Sequence, residues 1–257
     1  MKAISSLTVK QVKNKVAQLS LDEAQQMIMI LEADDRKSIN RIANKIKKEV
    51  AAVKKEENRI KKLWAYEKEI TENCSIVAGI DEVGRGPLAG PVVCAAVILP
   101  KDAELIGIDD SKKVKREDRE RLFKAIEEKA IAVGIGICDE KIIDDINILE
   151  ATKLGMKKAI EDLDSKPEFL LIDALTLDDI PIRQKGIIKG DSKSISIAAA
   201  SIVAKVTRDR IMYAYNEKYP EYGFLTNVGY GTKEHREALK AIGPTPIHRK
   251  SFIKNLI

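Results

Sequence analysis

All 14 glycines and all 8 prolines of this chain lie beyond residue 73. A helix interior tolerates neither residue well, at a cost of about 1 kcal/mol for glycine and about 3 for proline. The chain therefore divides near residue 73 into a helical N-terminal extension, 1–73, and a remainder, 74–257, rich in turn signals. Within the extension Val9, Val12, Val16 and Leu19 recur at spacings of three and four, the period of one helix face. Ser20 with Glu23 three residues on reads as a capping box that opens a second helix carrying Ala24, Met27 and Leu31. From Ile39 the apolar positions Ile42, Ile46, Val50, Val53, Ile60 and Trp64 predict a long, narrowly amphipathic helix. Between Arg41 and Lys62 it carries nine basic residues against three acidic ones. That charge run suits either a solvated helix face or a surface that tracks phosphates.

Beyond residue 74 short apolar runs alternate with charged helical stretches. Strands are expected at Ser75–Ile80, ending in Asp81-Glu82, and at Val92–Leu99, Ile131–Cys138, Phe169–Ile172 and Ile187-Ile188. Helices are expected near 115–129, 147–163 and 195–218, the last with an Ala-rich first half. The fold class is α/β, a mixed sheet flanked by helices. The 257 residues suffice for one such domain and a smaller appendage. A net charge of +5 permits an anionic partner without demanding one. Cys74, Cys94 and Cys138 form no C-x-x-C pair, and His235 and His248 are the only histidines, which argues against a zinc site. No run approaches a membrane span and no apolar signal core opens the chain, so the cytoplasm is the expected compartment.

Three strand ends deliver carboxylates: Asp81 and Glu82 after Ala78-Gly79-Ile80, Asp173 after Leu170-Leu171-Ile172, and Asp191 after Ile187-Ile188-Lys189-Gly190. Active-site groups gather where strands end, because the backbone there is rigid while the side chain reaches a crevice. Packed carboxylates repel, and a hard dication removes the conflict. Oxygen ligands suit Mg2+ or Mn2+, and two ions about 4 Å apart can activate water and stabilise the leaving oxygen of a phosphodiester.

The run Gly84-Arg85-Gly86-Pro87-Leu88-Ala89-Gly90-Pro91 is not a dinucleotide fingerprint. Its last glycine is one residue late, and prolines precede a strand instead of a helix. Glycines flanking an arginine instead let backbone approach a ligand while the guanidinium grips phosphate; a plain strand connection is the alternative. Ser111-Lys112-Lys113 is a further small basic loop, and Asp191-Ser192-Lys193-Ser194 lies where a helix begins.

These runs together carry a resemblance. Gly79-Ile-Asp-Glu-Val-Gly-Arg-Gly-Pro-Leu-Ala-Gly-Pro-Val-Val resembles the signature of the type 2 ribonucleases H, ribonuclease HII. So do Asp110-Ser-Lys-Lys, Leu171-Ile-Asp-Ala, the run from Lys189-Gly-Asp-Ser-Lys-Ser to Lys205-Val-Thr-Arg-Asp, Gly229-Tyr-Gly-Thr-Lys-Glu-His and Pro244-Thr-Pro-Ile-His-Arg. The match covers residues 75 to 253 in order.

The resemblance implies a ribonuclease H-like fold and hydrolysis on the 5′ side of a ribonucleotide, leaving 3′-hydroxyl and 5′-phosphate ends. Substrates would be RNA–DNA hybrids and ribonucleotides embedded in duplex DNA, which belongs to DNA replication and ribonucleotide excision repair. Asp81, Glu82, Asp173 and Asp191 match the four catalytic, metal-holding acids of that family. Gly84, Arg85 and Gly86 match its ribonucleotide-sensing loop, and Tyr230 the tyrosine against the neighbouring sugar. Ser111, Lys112 and Ser192 are further expected substrate contacts. A monomer is expected, with no protein partner specified. The sister type 3 enzymes carry a β-rich N-terminal extension and a glutamate as fourth acid, whereas this extension reads as helical and the fourth acid is Asp191. His235 and His248 receive no catalytic role.

Overall fold

The structure, a computed structural model, describes residues 4–71, 74–101 and 103–256. Residues 72 and 73, where the sequence places its boundary, lie outside them. The chain forms two compact units, Met1–Arg59 and Ile60–Ile257.

The first unit is helical. Helices α1 (Val9–Val16), α2 (Leu21–Glu32) and the first part of α3 (Lys37–Leu63) enclose Val12, Ala24, Ile28, Leu31, Ile39, Ile42, Ala43 and Ile46. The expected capping box is present: the Glu23 N–H donates to Ser20 Oγ (3.3 Å), and the Ser20 N–H to Glu23 Oε2 (2.8 Å). A second box, Thr8 with Gln11, opens α1. The apolar stripe of α3 is covered as far as Val50, while Val53 is exposed. At about 1.5 Å per residue, α1 and α2 are too short to cover the whole of α3. Its basic residues face solvent or pair locally, as in Lys45–Glu49 (3.6 Å).

The second unit opens with the end of α3 and α4 (Ala65–Thr71). It then runs β1 (Val77–Val83), β2 (Val92–Ile98), α5 (Arg116–Lys129), β3 (Ala132–Cys138), α6 (Glu140–Glu161), β4 (Phe169–Asp173), β5 (Arg183–Ile187) and α7 (Ile195–Lys218). Short α8 (Phe224–Asn227), α9 (Lys233–Ile242) and α10 (Lys250–Ile253) follow. The sheet order is β3-β2-β1-β4-β5, with β1, β2 and β3 antiparallel neighbours and β1, β4 and β5 parallel ones. Strand β2 is buried along its whole length because both faces are covered. Val93, Ala95 and Val97 meet α5 and α7, while Cys94, Ala96 and Ile98 meet α6. Each such aliphatic side chain contributes about 1.5–3 kcal/mol of burial.

Helix α7 presses closest. Its Ile197, Ala198, Ala199, Ala200, Ile202, Val203 and Ala204 are fully buried, and a Cβ on Gly79 would lie 2.1 Å from the Ser196 backbone. Small residues on both elements permit this approach, which brings the start of α7 against the middle of β1. Trp64 and Leu63 belong to the core of this unit. No helix among the described residues is long and apolar enough to cross a membrane.

Three local expectations are corrected. Helix 147–163 begins earlier and is broken at Asn147 (φ 68°), whose Oδ1 accepts from the N–H groups of Leu149 and Glu150 and so caps the second segment. Strand β5 is polar and lies at Arg183–Ile187, leaving Ile188 71% exposed. An edge strand needs only one covered face, so its alternation is weak in the sequence. Finally, β1 does not stop before the carboxylates: Asp81 and Glu82 are paired with Ala95 and Cys94 of β2.

Candidate active site

Strand β1 pairs with β4 only through Ile80, whereas its pairing with β2 continues to Val83. Asp81 and Glu82 thus project from rigid backbone beyond the parallel pairing. Asp173 closes β4 beside them. The Gly190 N–H donates to Asp173 Oδ1 (2.7 Å), tying β4 to the single turn Gly190–Ser192 that presents Asp191. That turn leads into α7, where Ser194 Oγ accepts from the Ile197 N–H as the helix cap. All four sequence-predicted acids therefore meet at one end of the sheet.

Their electrostatics are frustrated. Burial pushes Asp81 well above the usual carboxylate range, and the neighbouring charges of Glu82 and Asp173 add to it. Burial likewise raises Glu82 to about 7, with Asp173 adding and Arg85 and Lys112 opposing. Asp191 is raised by burial, then by Asp110 and Asp173. Glu82 Oε2 is buried with no hydrogen-bond partner, while Oε1 pairs with Arg85 at 3.2 Å. An orphaned carboxylate oxygen among mutually repelling acids fits a hard divalent cation in charge and chemistry. Asp81, Glu82, Asp173 and Asp191 are the residues that would hold it. As placed, no three histidine, cysteine or acidic side chains among the described residues stand close enough to share one ion.

The loop after β1 lies next to this cluster. Gly84 has φ +93°, and a Cβ there would meet the Arg208 side chain at 2.2 Å and the Pro91 carbonyl at 2.6 Å. Its glycine is demanded by backbone conformation and packing. Gly86 differs: a Cβ would stand 3.7 Å from Tyr230 Cε1 in ordinary contact. The structure thus brings the Tyr230 ring, 40% exposed, beside the Gly84-Arg85-Gly86 loop. Lys112 is exposed, and its charge reaches Glu82 and Asp191.

Two expected substrate contacts look different in place. Ser111 is buried, and its hydroxyl is hydrogen-bonded to Ser201 Oγ (3.0 Å) instead of facing a ligand. Ser192 is half-buried and donates to the Lys189 carbonyl (3.0 Å), which stabilises its own turn.

The supporting residues were not foreseen. Arg208 and Arg249 are both fully buried. Arg208 donates to the carbonyls of Pro91 (2.9 Å), Val228 (2.8 Å) and Ala89 (3.1 Å). Arg249 donates to those of Gly90 (3.0 and 2.8 Å), Arg85 (2.9 Å) and Gly84 (2.5 Å). Burial lowers them to about 10 and about 9, which leaves both charged at neutral pH. The only hint in the sequence was an arginine following a long run of small apolar residues in α7. Among the described residues, three of the four non-glycine residues with positive φ flank the site: Ala174 (52°) after Asp173, Lys189 (58°) before Asp191 and Val228 (43°) before Tyr230. Each costs on the order of 1–3 kcal/mol, and such strain persists only where surrounding contacts over-determine it. At Val228 the Arg208 bond does so.

Comparison with known proteins places both halves of the chain. The family model described as ribonuclease HII matches residues 78–255, and that of the ribonuclease HII N-terminal domain matches 8–71. The chain is 53% identical to a ribonuclease HII of Acetivibrio thermocellus, over 99% of this chain and 100% of that one. It is 49% identical to a ribonuclease HII of Clostridioides difficile, over 97% and 98% of the two chains. The solved structure of ribonuclease H2 from Pyrococcus horikoshii matches with a TM-score of 0.60 at 29% identity, covering 70% of this chain and 96% of that one. With both halves matched in order and near-full-length relatives at about half identity, the chain belongs to the ribonuclease HII family of metal-dependent endoribonucleases.

Proposed function

We propose that this enzyme hydrolyses the phosphodiester on the 5′ side of a ribonucleotide, in RNA–DNA hybrids and at ribonucleotides embedded in duplex DNA, leaving 3′-hydroxyl and 5′-phosphate ends. The observation that carries the reading is the cluster of mutually repelling carboxylates, Asp81, Glu82, Asp173 and Asp191, beside a glycine loop packed on Tyr230. Two divalent ions, Mg2+ or Mn2+, would supply an activated water and charge to stabilise the leaving oxygen.

The protein's own contribution is placement. Rigid pairing of β1 with β2 holds Asp81 and Glu82, and the Gly190 N–H orients Asp173. Arg85 is exposed and reaches Glu82, so it can exchange that pairing for a substrate phosphate. At a single nucleotide the 2′-hydroxyl is the handle that separates RNA from DNA. Arg249 holds the Gly84 and Arg85 carbonyls inward, which leaves the open side of Gly86 and the Tyr230 ring to read the sugar.

The test is to map cleavage on a duplex containing one ribonucleotide, with Mg2+, Mn2+ or chelator. Metal-dependent cutting at the 5′ side of the ribonucleotide is expected. Cutting on the 3′ side, or undiminished cutting in chelator, would refute the reading.

A further inference from the structure

The chain's two histidines lie outside the carboxylate cluster but touch the element that bears Tyr230. His235, in the first turn of α9, is fully buried, and His248 is 2% exposed. Tyr222 and Phe224 pack around them, with Phe224 edge-on to His235 at 5.3 Å. Their Nε2 atoms stand 3.0 Å apart. At the outer ends, His235 Nδ1 lies 2.9 Å from the Tyr230 carbonyl, while the Thr245 N–H (3.0 Å) and the Thr245 hydroxyl (2.9 Å) both face His248 Nδ1.

The backbone groups at the two ends favour one assignment of protons, in which the Thr245 hydroxyl donates to the same bare nitrogen as the Thr245 N–H. A carbonyl only accepts, so His235 Nδ1 carries hydrogen. A backbone N–H only donates, so His248 Nδ1 is bare and its hydrogen sits on Nε2. That hydrogen then points at the bare Nε2 of His235. The chain runs Thr245 N–H to His248 to His235 to the Tyr230 carbonyl, every ring nitrogen is used, and each ring is neutral. Burial agrees, lowering His235 and taking His248 down to about 4. A second proton on either ring would oppose two N–H groups at 3.0 Å or at the Thr245 end.

The same short segment also reaches the other half of the reading site. Arg249, next to His248, donates to the Gly84 and Arg85 carbonyls. The Gly90 N–H donates to the Ile247 carbonyl (2.8 Å) and the Leu88 N–H to the Gly229 carbonyl (2.8 Å). The dipeptide His248-Arg249 therefore spans both the Tyr230 turn and the Gly84–Gly86 loop.

We propose that His235 and His248 are positioning residues for ribonucleotide selection: their hydrogen-bonded chain fixes the Tyr230 turn against the loop that Arg249 holds. The proposal rests on the reading of Tyr230 as a sugar-sensing residue. Neither imidazole touches substrate; they act through the Tyr230 backbone. A small displacement of that ring alters lone-ribonucleotide cutting more than cutting of an all-RNA hybrid, where neighbouring ribonucleotides offer alternative registers.

The full-length chain, free of any histidine tag, gives a nitrogen NMR spectrum of just these two rings, assigned with His235→Gln and His248→Gln. The expected tautomers at neutral pH are Nδ1–H for His235 and Nε2–H for His248; a doubly protonated ring or the reverse tautomers would overturn the relay. In kinetics, His248→Phe keeps the ring shape and removes the bonds. It should lower kcat on a one-ribonucleotide duplex by on the order of tenfold to a hundredfold, with KM little changed and the all-RNA hybrid less affected. His248→Gln can still donate to His235 Nε2 and should restore most of that loss. A folded His248→Phe enzyme with wild-type selectivity overturns the proposal. Should that variant fail to fold, the tautomers and His248→Gln still decide it. Tyr230→Ala, run alongside, separates the layers. If it keeps wild-type selectivity, the role of Tyr230 falls and the relay's purpose with it. If it loses selectivity while His248→Phe keeps it, the relay alone falls.

Discussion

The two units of this chain are held together by different means. In Met1–Arg59 the interior is an aliphatic stripe, and its polar bonds are mostly local, as in the capping boxes at Thr8 and Ser20 and the Asp34–Arg36 pair, with the Lys47–Glu32 pair and Arg36 reaching further along the chain. In Ile60–Ile257 aliphatic layers cover the sheet, but the end that carries the acids is organised by buried polar groups: Arg208, Arg249, the histidine pair and Glu67. Arginines act in both. Arg36 donates to the Leu7 carbonyl (2.6 Å) and the Ile4 carbonyl (3.1 Å), yet it keeps an adjacent carboxylate and solvent as alternatives. Arg249 has neither. Periodic apolar spacing suffices to build a helical unit. Holding charged groups and strained backbone in one place takes bonds between residues far apart in the chain.

The largest contrast to test is chemical. Asp173→Asn retains an acceptor for the Gly190 N–H and loses the charge. It should reduce turnover by orders of magnitude, because charge stabilisation by a bound ion is worth several kcal/mol. Duplex binding and the unfolding temperature should survive. Removing Met1–Arg59 should instead leave turnover at saturating substrate intact, while weakening binding and flattening its salt dependence through lost phosphate contacts. The cut belongs at residue 59, since Leu63 and Trp64 are core residues of the second unit. Substantial turnover in Asp173→Asn would remove the metal assignment.

A second pair of variants addresses the arginines. Arg249→Met leaves the Gly84, Arg85 and Gly90 carbonyls without their donor. At about 1–3 kcal/mol for each buried group left unsatisfied, chemical unfolding should show a loss of about 3 kcal/mol or more. Arg36→Met should cost far less. Equal losses would erase the distinction between the units.

Within the reading loop the two glycines should separate. Gly84→Ala meets both a positive φ and the Arg208 side chain, and should lose on the order of 1–3 kcal/mol or more from backbone strain alone. Gly86→Ala should leave stability within about 0.5 kcal/mol, as for surface changes in general, while lowering cleavage at a lone ribonucleotide. Thermal unfolding and the ratio of rates on the two substrates check both.

The smallest effect is a difference in sign. Glu23 is held below its ordinary value of 4.5 by the Ser20 backbone and hydroxyl. Its contribution is present above that value and is lost as pH falls through the folded one. Glu67 is raised from 4.5 by burial, although Ser194 and Ser196 donate to Oε1 (2.5 and 3.0 Å). Its contribution is full below 4.5 and is lost as pH rises through the folded value. Glu23→Gln should flatten the acid side of the stability profile, and Glu67→Gln the side above it. Slopes of the same sign would contradict the burial of Glu67.

The sequence alone went far with this protein, and its reach follows the range of the interactions involved. Helix periods, the Ser20–Glu23 box and the mixed α/β order are short-range patterns, legible because backbone geometry repeats every few residues. The four acids stood out because each follows a run of apolar residues, and their motifs resemble those of a known family. Tertiary structure alone decided that Asp81 and Glu82 lie within a strand, that Ser111 is buried, and that Gly84 and Gly86 are glycines for different reasons. It alone joined Arg208 to Ala89 and Arg249 to Gly84, residues 119 and 165 positions apart. Local spacing neither names the carbonyls that a buried arginine bonds nor pairs His235 with His248, because the partner that offsets the cost of burial arrives only when the sheet and its last helices close around it.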